Sequence, residues 1–236
     1  MRSILFLAVI VLSGIARADE APVPANTVSP NGRYGITVPP SFTEENSYTE
    51  YNEIIEMKTK RVLGAINNET AFARMNHSDL LPTRWSADSS YALWLVDGKW
   101  GMDTLMLIRL KDGEIDWQLD VIKPLQREIL TRTEALDPKK FLAAKKANWG
   151  DGSAYPEKFT IDARPEGTAR ENLKFPLRFH VYLTSNPKGA PGVPEIDSSM
   201  EATLAADGSI KITGFHAGKS KTSPWNEVQA ASEAER

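Results

Sequence analysis

Three histidines, His77, His180 and His216, are the only side chains here whose ordinary pKa lies near neutral pH. They stand far apart: His77 in a polar stretch, His180 on the wet side of an alternating strand, His216 just past a hairpin strand. None has a second histidine or a carboxylate at the H-x-x-x-H spacing that sets two metal ligands on one helix face. Surface histidine is the reading their contexts favour. Cysteine is absent, which removes thiol catalysis and disulfides together. The sequence contains no G-x-S-x-G, H-E-x-x-H, P-loop or G-x-G-x-x-G. Residues 151–162 start and end on acids like a calcium loop, but Pro156 stands where such a loop needs glycine. Asp97 and Asp103 flank a hairpin and would suit a glycosidase if a cleft held them about 5–10 Å apart. Acids at hairpin ends are more often turn formers. No catalytic residue, cofactor or metal site is expected.

The aromatic residues carry the clearest binding signal. Trp85, Trp94, Trp100 and Trp117 fall close together in sequence. Trp94 lies on the strand face opposite Leu93 and Leu95, and Trp100 sits near a hairpin tip with Lys99 beside it and Arg84 not far off. Exposed tryptophans on a sheet stack on sugar rings or anchor protein partners, although a meander also uses them as core. The candidate ligand- or partner-binding residues are therefore Trp100, Trp94, Arg84 and Lys99.

The start of the chain reads as a secretory signal peptide, residues 1–18. Arg2 is followed by an apolar run from Ile4 to Leu12 and the small-residue ending Ala16-Arg17-Ala18. That run is too short for the roughly 20 residues that span a bilayer, and no cysteine follows to take a lipid. An exported protein without a membrane anchor is expected, periplasmic first and extracellular second. Loss of Arg2 and Arg17 takes the formal charge of −3 to −5. Mild acidity argues against a general affinity for nucleic acid or anionic membranes. The lysines at 139–140 and 145–146 read as one solvated helix face.

These residues must be positioned by a mostly antiparallel β framework. Residues 19–28 read as a disordered lead-in. Strands are expected at Tyr34 to Val38, Glu53 to Met57, Arg61 to Ile66, Tyr91 to Val96, Thr104 to Leu110 and Glu114 to Ile122. Asp97-Gly98 and Asp112-Gly113 mark hairpin turns. Leu105 to Ile108 is apolar on both faces, which predicts a strand in the middle of a packed sheet. Helices are expected at Pro124 to Leu136 and from Asp137 (N-cap) and Pro138 to before Gly150. Trp149 to Tyr155 reads as the loop between halves. Beyond it, Leu177, Phe179, Val181 and Leu183 alternate with Arg178, His180, Tyr182 and Thr184, a strand with one dry face and one wet face. A last hairpin spans Met200 to Thr213, and a polar tail fills 220–236.

Two segments of the first half repeat. Ser29-Pro30-Asn31-Gly32-Arg33-Tyr34 answers to Ser86-Ala87-Asp88-Ser89-Ser90-Tyr91, and Ile54 to Val62 answers to Leu107 to Ile115. With Trp85 ahead of the second copy, the pattern resembles the "W-S-P-D-G-R-Y" opening and "D-L-x-T-G-K-V" closing hairpin of WD-repeat-like β-propeller blades in exported bacterial proteins. The resemblance covers about Ser29 to Val121. It implies a turn capped by Asp or Asn and an aromatic packed between blades. A closed propeller needs about four blades; two are found, with at most a degenerate third in the C-terminal half. The expected fold is therefore α+β, mostly antiparallel, with blade-like meanders (29–122) in an open or sandwiched sheet. A helical insertion (123–149) and a C-terminal β region (150–219) follow. Fold does not settle function. The expectation is an exported binding or interaction protein without evident catalysis, whose partner is a protein or a glycan and not nucleic acid. A periplasmic carboxylate hydrolase and a small-ligand carrier are the alternatives.

Overall fold

The computed structural model describes residues 22–38, 52–66, 79–80, 82–98, 101–148, 158–168, 171–186 and 191–218. The expected signal peptide, His77, Lys99, Trp100, the loop from Trp149 to Tyr155 and the tail from 220 onward lie outside them. The fold is α+β and mostly antiparallel, with three sheets and two α-helices among the described residues. The first sheet holds β1 (Tyr34–Ile36), β2 (Glu53–Glu56) and β3 (Arg61–Ala65) in that order. The second has the order β4-β6-β7-β8, from β4 (Asp79–Leu80), β6 (Tyr91–Gly98), β7 (Gly101–Lys111) and β8 (Glu114–Asp120), with β5 (Arg84–Trp85) also paired to β6. Then come α1 (Ile122–Leu136) and α2 (Pro138–Ala147). The third sheet, ordered β12-β11-β10-β9, comprises β9 (Phe159–Pro165), β10 (Leu177–Ser185), β11 (Asp197–Leu204) and β12 (Ile210–Ala217).

The two repeats fold alike at their turns. In the first, Ser29 Oγ donates to Asn31 Oδ1 (2.8 Å) and accepts from Tyr34 N (2.9 Å), while Arg33 N donates to Asn31 Oδ1 (2.9 Å). In the second, Ser86 Oγ donates to Asp88 Oδ1 (2.6 Å) and accepts from Tyr91 N (2.9 Å), while Ser90 N donates to Asp88 Oδ1 (3.1 Å). The fourth turn residue is left-handed in both, Gly32 at φ +67° and Ser89 at φ +60°. Each turn aims a tyrosine at the next layer. Tyr34 stacks on Trp85 of the second repeat, and Tyr91 meets Phe175, ahead of β10, edge-on.

The second sheet is the middle layer, which is why β7 is apolar on both sides. Ala92, Trp94, Val96, Met106, Ile108 and Leu110 form one cluster with Tyr34, Ile36 and Ile54 of the first sheet. Leu93, Leu95, Leu105 and Leu107 form another with the helices and the third sheet. There Leu125 and Ile129 of α1 and Phe141 and Ala144 of α2 meet Phe179, Val181 and Met200. The two halves thus share one core.

Two expectations are corrected in the fold itself. Residues 22–28, read as a loose lead-in, are built into the structure as a strap. Their carbonyls accept from elsewhere: Pro22 O from Val38 N, Asn26 O from Thr83 N, and Thr27 O from Trp85 Nε1. A polar, proline-containing stretch looks unstructured in sequence because such bonds are long-range. The first helix also starts two residues earlier than Pro124, because Asp120 Oδ1 caps Ile122 N (3.0 Å) and Lys123 N (3.3 Å). Pro124 lies in the first turn, where an amide has no intrahelical partner. At the second helix Asp137 accepts from Lys140 N with Pro138 behind it, as expected.

Candidate functional site

Of the four binding residues expected from sequence, the two among the described residues, Trp94 and Arg84, are both buried. Trp94 does lie opposite Leu93 and Leu95, but that face is also dry, because the first repeat covers it; Trp94 is 0 % exposed. Arg84 is 4 % exposed and Nη1 donates to the Glu166 carbonyl at 2.7 Å. Burial pulls its pKa below the ordinary arginine value, with Glu171 opposing that shift. Both residues are structural, since neither presents a face to solvent. Gly98 and Gly101 pair across the hairpin whose two intervening residues, Lys99 and Trp100, lie outside the described residues.

Among the described residues, the outer face of the third sheet gathers polar side chains from all four of its strands. Strict alternation puts Leu177, Phe179, Val181 and Leu183 inward and Arg178, His180, Tyr182 and Thr184 outward. The same rule on β9 turns Thr160, Asp162 and Arg164 outward, and on β11 Ser199, Glu201 and Thr203. A register shift between Glu201 and Ala202, opposite Gly214 and Ile212, lets Ile210, Ile212 and Phe215 all pack inward. Cross-strand pairing then lines up Asp162, Tyr182, Ser199 and His216 as one row, with Arg164, His180 and Glu201 as the next.

The face is graded from buried to open. Asp162 is 2 % exposed and Tyr182 and Ser199 are each 9 % exposed, whereas Arg178, Glu201, Lys211 and His216 are open to solvent. At the buried end Arg164 Nε donates to Asp162 Oδ2 (2.8 Å) and Nη2 lies 2.8 Å from Asp97 Oδ1, at the end of β6. Burial opposes the charge of Arg164, but the bond to Asp97 and the charge of Asp162 outweigh it and raise its pKa above the ordinary value. In the next row, between β10 and the end of β9, His180 Nε2 lies 3.2 Å from Glu166 Oε1. The open side of this face offers donors and acceptors in Arg178, Glu201, Lys211 and His216.

Sequence reading put His180 on the wet face of its strand, but it left His216 just past a hairpin strand, whereas β12 runs on through it and the register sets the two in adjacent rows. The reading missed Asp162, Arg164 and Glu166. The signal was there in Phe159, Ile161 and Ala163 alternating with Thr160, Asp162 and Arg164. Among the described residues no three His, Asp or Glu side chains are grouped so as to hold a metal ion. The expected hairpin acid Asp97 is engaged with Arg164, and the side chain of Asp103 lies outside the described residues. No family model, curated protein or solved structure matches the chain.

Proposed function

We propose that the chain is an exported binding or interaction module, and that its partner, a glycan or a protein, meets the outer face of the third sheet. The observation that carries this reading is the graded polar row across four strands, which runs from buried Asp162 to exposed His216. On this face Arg164 is paired with Asp97 and Asp162, and His180 with Glu166, while Arg178, Glu201, Lys211 and His216 stand open to solvent. Fixed pairs suit recognition, because a preordered surface loses less side-chain entropy when a partner binds. Export rests on the arrangement of residues 1–18 and the blade-like reading on the repeated turns.

The test is a thermal-shift titration of the chain from Asp19 onward with glycans, cell-wall fragments and peptides. A ligand at a hundred times its Kd adds about 2.7 kcal/mol, a rise of a few degrees for a chain of this size. Replacing both Arg178 and Glu201 by alanine should abolish that rise while the unliganded Tm stays put. A rise that survives in the double variant would move the site off this face. Turnover of the ligand would put the carboxylate-hydrolase reading ahead.

A further inference from the structure

Helix α2 has two faces of opposite use. Phe141 and Ala144 are buried in the shared core. Lys139, Leu142, Ala143 and Lys146, spaced i, i+3, i+4 and i+7, are all exposed and so form one outward stripe. Leu142 is 51 % exposed, and Leu136, at the end of α1 and one residue before the Asp137 cap, is 55 % exposed. These are the exposed large apolar side chains among the described residues. Lys139, Lys140 and Lys146 enter no ion pair among the described residues. Residues 122–147 carry seven Lys and Arg against three Asp and Glu, a local charge of +4 in a chain whose formal charge is −3.

From this we infer that the α1–α2 corner is a peripheral docking surface for an anionic lipid bilayer. The overall acidity that argues against a general affinity for membranes does not apply to a surface with this local balance. It instead orients the molecule, since the remainder of the chain is repelled from the same bilayer. A leucine more than half exposed protrudes. A protein partner would have to supply a pocket for it, whereas a bilayer interface accepts it directly, with the flanking lysine stems lying along the acyl boundary and their ammonium groups among the phosphates. Two leucines and a few lysines make a reversible, salt-sensitive contact rather than an anchor.

The measurement is co-sedimentation of the chain from Asp19 onward, which keeps every described residue and leaves out the apolar run at 4–12. The vesicles are phosphatidylglycerol in phosphatidylcholine, with phosphatidylcholine alone as the control. Binding is expected on the anionic vesicles at low salt, weaker at high salt and absent on neutral ones. Lys139→Glu with Lys146→Glu should cut the bound fraction by about tenfold or more, and Leu142→Ser should weaken it further. Both variants should melt with the wild type, because these side chains face solvent. No binding to anionic vesicles at low salt would overturn the inference. So would equal binding to neutral vesicles, undiminished binding of the double variant, or capture by an acidic polypeptide such as polyglutamate without capture by vesicles.

Discussion

Tyr34 and Tyr91 hold the same place in two copies of one turn, yet they sit in different surroundings. The first repeat is a small outer layer whose tyrosine stacks on Trp85 of its neighbour. The second is the middle of the molecule, with one face against the first repeat and the other against the helices and third sheet. The local rule is shared, because the Ser and Asn or Asp hydrogen bonds that close each turn are made within a few residues. The position in the stack is not local. It decides whether a given strand residue meets water or another layer. Tyr91 contacts Phe175, and Leu173 N donates to Trp85 O, so the C-terminal half continues the stack from the second repeat.

The sharpest way to break this comparison is at Trp94. If the second repeat is dry on both faces, Trp94→Ala should cost about 3–5 kcal/mol in urea unfolding. A cost under about 0.5 kcal/mol, within the range of ordinary surface changes, would return the residue to solvent and the second repeat to an edge. The clamps on the two repeats should differ in the same sense. Arg164→Ala removes the cation that ties Asp162 of β9 to Asp97 of the middle sheet, and the expected loss is about 1–3 kcal/mol, the partial exposure of Arg164 reducing the full penalty of a broken buried pair. Arg33→Ala removes the more exposed pair with Glu56 in the first repeat and should cost less than Arg164→Ala. Equal losses would mean that the two layers are held alike.

What was legible in sequence follows the same division between local and long-range. The repeated turns, the Asp112-Gly113 hairpin, the Asp137 cap and the two-faced apolarity of Leu105 to Ile108 depend on neighbours in the chain and were readable, whereas Asp97-Gly98, read as a turn, belongs to β6 and pairs with Met102 and Gly101. So was the α+β, mainly antiparallel class, because strand alternation and helix periodicity are short-range patterns. The strap at 22–28 was not, since its bonds go to Val38, Thr83 and Trp85. The burial of Trp94 and Arg84 was not, since each is covered by a segment distant in sequence. On the candidate face, His180 and its wet side were visible, but the row from Asp162 to His216 exists only through the register of four strands.

A smaller effect, of opposite sign, is expected at the fourth residue of the second turn. Ser89 adopts φ +60° where the first repeat has Gly32, and its hydroxyl is buried with no hydrogen-bond partner among the described residues. A side chain in the left-handed region costs about 1–2 kcal/mol and an unsatisfied hydroxyl adds to that. The extra freedom of glycine in the unfolded chain offsets part of the gain. Ser89→Gly should therefore raise stability by about 1 kcal/mol, read as a higher Tm. A loss would mean that the two turns, alike in their hydrogen bonds, are not interchangeable.

The finest distinction between the repeats is one of charge. Asn31 and Asp88 accept the same bonds from a serine hydroxyl and a backbone amide, but only Asp88 titrates. The Ser86 hydroxyl, then the Ser90 hydroxyl and amide, favour the carboxylate and hold its pKa below the ordinary aspartate value. A folded-state pKa below the unfolded one means that the unfolded chain takes up the proton first. The stabilisation is therefore complete above the ordinary value of about 3.9 and is lost as pH falls through the lower folded value. In Asp88→Asn the turn keeps an acceptor in the position Asn31 uses, so unfolding at pH 7 should move by under about 1 kcal/mol. Its stability should then fall less steeply than wild type between about pH 4 and the lower folded pKa. The matching change in the first repeat, Asn31→Asp, should add acid sensitivity of the same sign. Urea midpoints measured at pH 7 and through this acid range test both variants, and parallel curves for wild type and Asp88→Asn would show that the charge of Asp88 contributes nothing to the turn.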